Sequence, residues 1–190
     1  RTLSLVELPS GRVIRTIELT PYRMPHDVRW VDSVRVVCTA EADSALLVVN
    51  VVSGAVERVF KTGQRGSHML ALTADRTRLY CSNMGSGSVS VFDFATAAKL
   101  ADIPTGKECE GVGVTPDGRW VIFLSTESSI QTPMIVPLGG GTPRKIVDYF
   151  VSVRAVQLSS DCKSFRLPGP PGGGGEITGD VPDCGNRRGG

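Results

Sequence analysis

The stretch Gly66-Ser-His-Met-Leu-Ala-Leu-Thr-Ala-Asp-Arg-Thr-Arg-Leu-Tyr-Cys-Ser-Asn83 decides the fold, because its order of apolar and turn residues recurs along the chain. Residues 108–125 repeat that order, residues 24–39 carry an earlier copy, and residues 153–161 begin a later one. The copies are about 42 residues apart, a spacing typical of repeats that each fold as one four-stranded sheet.

The second half of each unit repeats as well. Residues 88–96 match residues 45–53, and residues 1–19 are this same half without its front. Short runs rich in Val, Ile, Leu, Phe and Tyr alternate with turns that contain Gly, Ser and Asp, which predicts four short strands in each unit. No ten-residue segment shows a helical period free of turn residues, so we expect an all-β chain.

Two runs are apolar at every position, residues 46–49 and residues 120–124. Successive side chains of a strand point to opposite faces, so such runs indicate sheets that are buried on both faces. Stacking four-stranded units around an axis covers each face with the next unit. We therefore predict a β-propeller of four-stranded antiparallel blades, with about three full blades and two half blades.

Residues 83–93, 102–106 and 111–119 resemble the YVTN β-propeller repeat family, and Tyr80-Cys-Ser-Asn83 stands where that family has its name motif. The resemblance covers about residues 1–165, although residues 134–146 look more like the repeats of TolB-type propellers. It implies WD40-like blades in a bacterial or archaeal protein that is secreted, periplasmic or part of a surface layer. Propeller relatives include lactonase-like hydrolases and oxidoreductase subunits, and the fold alone does not choose among them.

The expected organisation is a partial propeller over residues 1–165, followed by a tail over 166–190. Its Gly/Pro-rich composition predicts disorder. The expected blade units are near residues 1–20, 25–63, 67–106, 109–148 and 152–165. A seven-bladed ring needs roughly 290 residues at this period, so we expect a fragment of a longer protein. Closure of a four-bladed ring through the two end pieces is the alternative.

Composition excludes several kinds of partner. The formal net charge of +2 is too small to indicate nucleic-acid binding, and no apolar stretch is long enough for membrane insertion. Five cysteines without C-x-x-C spacing and only two histidines predict no zinc or haem cofactor. We interpret Cys38 and Cys81, which lie in strand-like runs, as buried thiols.

Four polar residues occupy equivalent positions before the first strand of their units: His26, His68, Glu110 and Arg154. The first strand of a propeller blade lines the central channel, so these side chains would form a ring at the channel mouth that binds a small polar ligand, a metal or a peptide. The alternative is that they tie one blade to the next by hydrogen bonds. Two histidines alone are a weak metal signal, since a third ligand is needed, from Glu110 or Asp27.

Other polar positions are explained by turns. Asp75, Asp117 and Asp161 recur where an Asp side chain caps its own turn. Asn83 and the loop of residues 85–88 would lie on the channel-mouth face, where ligand contact and a tight hairpin turn explain them equally well.

No catalytic residues are predicted, because neither a Gly-x-Ser-x-Gly motif nor a Cys–His pair is evident. We expect a non-catalytic module for protein or small-ligand binding that is periplasmic or extracellular, with self-association through its open blade edges. The alternative is a fragment of a propeller enzyme, a lactonase-like hydrolase or an oxidoreductase subunit, with a metal or cofactor at the channel mouth.

Overall fold

A computed structural model describes residues 1–115, 118–127, 130–138, 141–146, 157–158, 164–168 and 176–180. Over these residues the elements are β-strands, apart from one 3-10 turn at Glu41–Asp43. The strands are β1 Thr2–Val6, β2 Val13–Glu18, β3 Pro25–Trp30, β4 Arg35–Ala40, β5 Ala45–Asn50, β6 Val56–Lys61, β7 Ser67–Leu72, β8 Arg78–Asn83, β9 Ser88–Asp93, β10 Lys99–Pro104, β11 Val112–Val114, β12 Trp120–Glu127, β13 Ile130–Pro137, β14 Arg144–Lys145, β15 Gln157–Leu158, β16 Ser164–Pro168 and β17 Glu176–Asp180.

The strands form consecutive antiparallel meanders. Three sheets have four strands each: β3 to β6, β7 to β10 and β11 to β14, which we call blades 1, 2 and 3. The pair β1–β2 precedes them, and the three-stranded sheet β15–β16–β17 follows them. The predicted all-β fold of four-stranded antiparallel blades is confirmed, and its partial units lie at the two ends.

The central strand β5 shows why the blades stack. Leu47 and Val49 pack in a core shared with Ile17 of the preceding half blade. Leu46 and Val48 pack on the other side, in a core shared with blade 2. All four side chains are buried, so the continuous apolar run serves two interfaces, as the sequence predicts. A third core, between blades 2 and 3, repeats the arrangement.

The first strands of the three blades lie side by side, because β7 contacts both β3 and β11. These are the channel-lining strands of the propeller-like arrangement. Pro25 pairs with Ala40 in blade 1 and Ser67 pairs with Asn83 in blade 2, so each first strand begins at the end of the blade where the second strand finishes. We call this end the channel mouth.

The Asp75 turn has the predicted form, since its carboxylate accepts hydrogen bonds from the hydroxyls of Thr73 and Thr77 and from the Thr77 N–H. Asp117 and Asp161 lie outside the described residues. Cys38 and Cys81 are free and buried, as interpreted from sequence.

The C-terminal sheet includes strands that lie partly within residues 166–190. Strand β16 pairs with β17, which lies within residues 166–190. Among the described residues, no helix is long and apolar enough to cross a membrane.

Candidate functional site

A β-bulge occurs in the first strand of both blade 1 and blade 2. Each bulge presents one histidine at the channel mouth, His26 in blade 1 and His68 in blade 2. In blade 1, the pairing passes from Pro25–Ala40 to Val28–Cys38, so His26 and Asp27 together oppose the single residue Thr39. Blade 2 has the same shift, with His68 and Met69 opposite Ser82. A bulge re-aims its side chains, and bulges are frequent beside functional sites. The histidines therefore lie in the first strands, one residue after each strand begins.

The two imidazoles meet across the blade boundary. Their ring centroids are 3.9 Å apart and their planes differ by 23°, which is a stacked arrangement. His68 Nδ1 shares a hydrogen bond of 3.4 Å with Glu41 Oε2. One ligand atom from each of His26, Glu41 and His68 lies within 4.8 Å of the other two. We call these three residues the His–Glu cluster.

Burial differs within the His–Glu cluster. The side chains of His68 and Glu41 are 17% and 16% exposed, whereas His26 is exposed to solvent. Two donors are thus held in a partly dry environment, and the third can move. Among the described residues, this is the group of His, Cys, Asp and Glu side chains whose spacing fits a metal ion.

Glu41 is placed by the 3-10 turn that follows β4. The Glu41 N–H donates to the Met24 carbonyl at 3.0 Å, which ties the turn to the residues before β3. The Arg23 guanidinium donates to Asp43 Oδ1 at 2.9 Å, and this contact lowers the pKa of the Asp43 carboxyl. Residues before β3 and after β4 are therefore held together beneath the cluster.

The blades are tied together by hydroxyl groups and main chain. The Thr39 hydroxyl accepts the bulge N–H of Asp27 at 3.0 Å and donates to the main-chain carbonyl of His68 at 3.0 Å. The carboxylate of Asp27 accepts the N–H of Leu70 at 3.0 Å, also across the boundary. The imidazole of His68 takes no part in these hydrogen bonds, and it crosses the same boundary through its contacts with His26 and Glu41.

The next boundary repeats the arrangement. The Ser82 hydroxyl accepts the Met69 N–H at 3.1 Å and donates to the main-chain carbonyl of Glu110 at 2.7 Å. The Glu110 carboxylate accepts a hydrogen bond from Gln131 Nε2 within its own blade. Two of the predicted ring residues, His68 and Glu110, thus contribute carbonyls to the blade ties, and their side chains have separate partners.

The structure brings together some of the predicted ring residues. His26 and His68 stack, Glu110 lies at the next boundary outside the cluster, and Arg154 lies outside the described residues. Asp27, a candidate third ligand from sequence, is buried and engaged in the blade tie. That the ring binds a ligand stays a prediction.

Glu41 was not among the site residues predicted from sequence. Those residues are the ones at the start of each blade's first strand, whereas Glu41 follows the second strand of blade 1. The pairing of Ala40 with Ala45, and of Asn83 with Ser88, makes Met84 the equivalent of Glu41 in blade 2. The sequence does carry a signal for Glu41: the turn after the second strand has a carboxylate in blade 1 and Met84 at the equivalent position of blade 2.

A cleft lies at the same end of the blades, between the β8–β9 turn of blade 2 and the residues that precede β11. Its volume is about 490 Å³, and it is lined by residues 84–87 and 106–108. Asn83 is buried, where its side chain donates to the hydroxyls of Ser88 and Ser90. The tight turn therefore accounts for Asn83, and the loop after it forms the cleft wall.

The described thiols are not poised for nucleophilic chemistry. Burial raises the pKa of Cys38 and of Cys109 to about 12, and it raises the pKa of Cys81 further. A thiol needs a lowered pKa to react as the thiolate near neutral pH, so these three behave as core residues.

Comparison with known proteins supports the fold alone. No family model matches the chain, and no curated protein matches it in sequence. A solved structure, Kuenenia stuttgartiensis hydrazine synthase, is similar to it with a TM-score of 0.69 and 19% sequence identity, over 87% of this chain. The chain spans about half of that protein, 49% of its length. Together with the stacked four-stranded sheets, this similarity defines a propeller-like fold.

Proposed function

We propose that this chain is a non-catalytic β-propeller module of the YVTN repeat type that binds a protein or small ligand at the channel mouth. The observation that carries the proposal is the convergence of His26, Glu41 and His68 from two consecutive blades. The hydroxyl tie recurs at the next blade boundary, where Met84 and Glu110 stand in place of Glu41 and His68, so this tie does not require the cluster side chains.

The cleft at the channel mouth gives the ligand a place to lie. Its wall at residues 84–87 follows the second strand of blade 2, at the end where the channel-lining strands begin. Lys107 and Glu108 on the opposite wall supply charges of both signs. A concave surface with a few convergent polar groups is the usual form of a ligand site.

The proposed setting is the periplasm or the exterior of a bacterial cell, which the YVTN resemblance implies. Self-association is part of the proposal, because the first blade exposes apolar surface toward the half blade. Val28 and Trp30 are 45% and 56% exposed, and they line a groove of about 220 Å³ together with Leu5 and Val36. Contiguous exposed apolar surface marks interaction sites on proteins.

A second candidate is part of a propeller enzyme. The observation that favours it is the imidazole–carboxylate composition of the cluster, since these groups act as metal ligands and as general acids and bases. The similar solved structure is named as an enzyme, and this chain covers half of it. Turnover of a simple lactone such as γ-butyrolactone by the purified chain would favour this candidate.

The test is peptide selection on the intact chain. A random dodecapeptide display library is selected against immobilised wild type, and the recovered peptides are measured by titration against variants. We expect His68→Ala combined with Glu110→Ala to weaken binding at least tenfold, and Arg76→Ala, on the turn between β7 and β8 at the opposite end, to leave it unchanged. Peptides that bind all variants equally, or that depend on Arg76, would contradict the proposal.

A further inference from the structure

We propose that the His–Glu cluster binds one divalent transition-metal ion, with Zn²⁺ as the best fit to its donors. This inference rests on the proposed function, because it names the ligand class of the same channel-mouth site. Two imidazoles and one carboxylate are a donor set that zinc takes in proteins. Purely oxygen donors, which calcium and magnesium prefer, are not what the cluster offers.

The spacing of the donor atoms is close to that of a zinc site. Zinc bonds of 2.0–2.2 Å in a tetrahedron place the donors roughly 3.3 Å apart. The separation of 3.4 Å between His68 Nδ1 and Glu41 Oε2 already matches this value. The donor atoms of all three residues lie within 4.8 Å, so closure by about 1.5 Å at most brings in His26.

His26 is the residue that can make this adjustment. Its ring is exposed and stacks on His68 with a centroid distance of 3.9 Å, and one of its nitrogens lies within 4.8 Å of the ligand atoms of His68 and Glu41. Coordination requires the two ring planes to tilt until both nitrogens point to one ion. Side-chain rotation at an exposed position is sufficient for this change, and the backbone of β3 stays in place.

The other two donors are held by supporting hydrogen bonds. The main-chain carbonyl of His68 accepts the Thr39 hydroxyl, and the Glu41 N–H donates to Met24. The Arg23–Asp43 ion pair closes the turn that carries Glu41. Partners that fix the backbone of metal ligands reduce the conformational entropy lost on binding.

The repeat supplies an internal comparison. At the next blade boundary, the positions of Glu41 and His68 are taken by Met84 and Glu110, so the blade architecture is compatible with residues that form no such donor set. The His–Glu cluster is therefore a property of one boundary. A role in blade packing would be expected at both boundaries.

Three protein ligands leave one tetrahedral position of a zinc ion for water or for a ligand group. The channel-mouth cleft lies at the same end of the blades, lined by residues 84–87 and 106–108. A carboxylate or other Lewis-basic group of a ligand that extends from this cleft to the ion would complete the coordination. The ion would thus anchor the ligand of the proposed module.

The test measures metal binding to the full chain by equilibrium dialysis with elemental analysis, and by Co²⁺ absorption spectroscopy. We expect one equivalent of Zn²⁺, and a loss of affinity of at least tenfold in both His26→Ala and Glu41→Met. The second substitution installs the residue found at the equivalent position of blade 2, so it fits the turn. Glu57→Gln, an exposed carboxylate on β6 at the opposite end of blade 1, is the matched control and should bind zinc as wild type does.

Several outcomes would overturn the inference: absence of stoichiometric zinc binding, equal affinity in His26→Ala and wild type, or thiolate-to-cobalt charge-transfer bands, which would assign the ion to cysteine. Circular dichroism of each variant shows whether it is folded. Of the three cluster residues His26 is the exposed one, so we expect its substitution to disturb folding least. Peptide binding that follows the mouth face in the presence of EDTA, without zinc binding, would refute the metal site and leave the proposed function standing. Zinc binding without any peptide whose binding depends on mouth residues would support the metal site and refute the proposed peptide-binding function.

Discussion

The Thr39 hydroxyl donates a 3.0 Å hydrogen bond to the main-chain carbonyl of His68, which joins the second strand of one blade to the first strand of the next. The same oxygen accepts the N–H of Asp27, which the β-bulge leaves without a ladder partner. Ser82 does the same for Met69 and Glu110 one blade further on. At each of the two boundaries between the three described full blades, one buried hydroxyl therefore satisfies the bulge and joins consecutive first strands.

Removing this hydroxyl should weaken the boundary. Thr39→Val keeps the shape of the side chain but leaves the Asp27 N–H and the His68 carbonyl without their partner. Unpaired buried polar groups cost about 1–3 kcal/mol, so we expect a loss of that size in the free energy of unfolding, measured by urea titration. Thr39→Ser retains the hydroxyl and should lose much less. Equal losses in the two variants would show that the hydrogen bonds contribute little.

The fold was predictable from local sequence, and the His–Glu cluster was only partly so. Leu46 and Leu47 are neighbours in sequence, and their side chains pack in different cores. An unbroken apolar run in a strand predicts this burial on both faces of the sheet. His26 and His68 were found because they recur at one period. Glu41 comes from a different loop, and its proximity depends on the bulge and on the 3-10 turn, which no repeat pattern encodes.

Two loops at the channel mouth approach each other closely at Gly87 and Gly106, and a substitution at Gly87 tests how tightly they pack. A Cβ at Gly87 would lie 2.1 Å from the Gly106 carbonyl oxygen, whereas a Cβ at Gly63 would meet nothing within 4 Å. The two glycines have nearly the same φ, +62° and +61°, so backbone strain from an added side chain is matched. We expect Gly87→Ala to cost about 1–3 kcal/mol more than Gly63→Ala in urea unfolding, since overpacking adds a cost of that order. A difference near zero would mean that the loops separate easily.

Arg76 occupies a backbone conformation that favours glycine. Its φ is +59°, and it follows Asp75 in the turn where blade 3 has Gly118, with φ +67°. A left-handed backbone conformation costs a non-glycine residue roughly 1–2 kcal/mol. Glycine avoids this strain, but it loses more conformational entropy on folding, which offsets part of the gain. Arg76→Gly should therefore stabilise the chain by about 0.5–1 kcal/mol, as a rise in the urea midpoint. Arg76→Ala removes the same exposed side chain without relieving the strain, and a rise of equal size there would refute the explanation.

Alkaline pH should unfold the chain through its buried thiols. Burial raises the pKa of Cys109 from 9.0 to about 12, so the folded state holds this proton more tightly than the unfolded state does. The resulting stability is present in full below pH 9 and is lost as the pH rises toward 12. Cys38 shifts in the same direction and over the same range. Urea midpoints measured between pH 8 and 11 should fall less steeply in Cys109→Ala than in wild type, and parallel curves would contradict the assignment.

The exposed groove of blade 1 should drive self-association. Trp30 and Val28 present apolar side chains beside β1, and Trp30 alone is more than half exposed. Trp30→Lys places a charge in the groove, and burying an unpaired charge in an interface is costly. Light scattering after gel filtration should show wild type as an oligomer and Trp30→Lys as a smaller species. Leu8→Lys, at an 86% exposed position that does not line the groove, should keep the wild-type mass. A monomeric wild type, or an oligomer unchanged by Trp30→Lys, would place association elsewhere or exclude it.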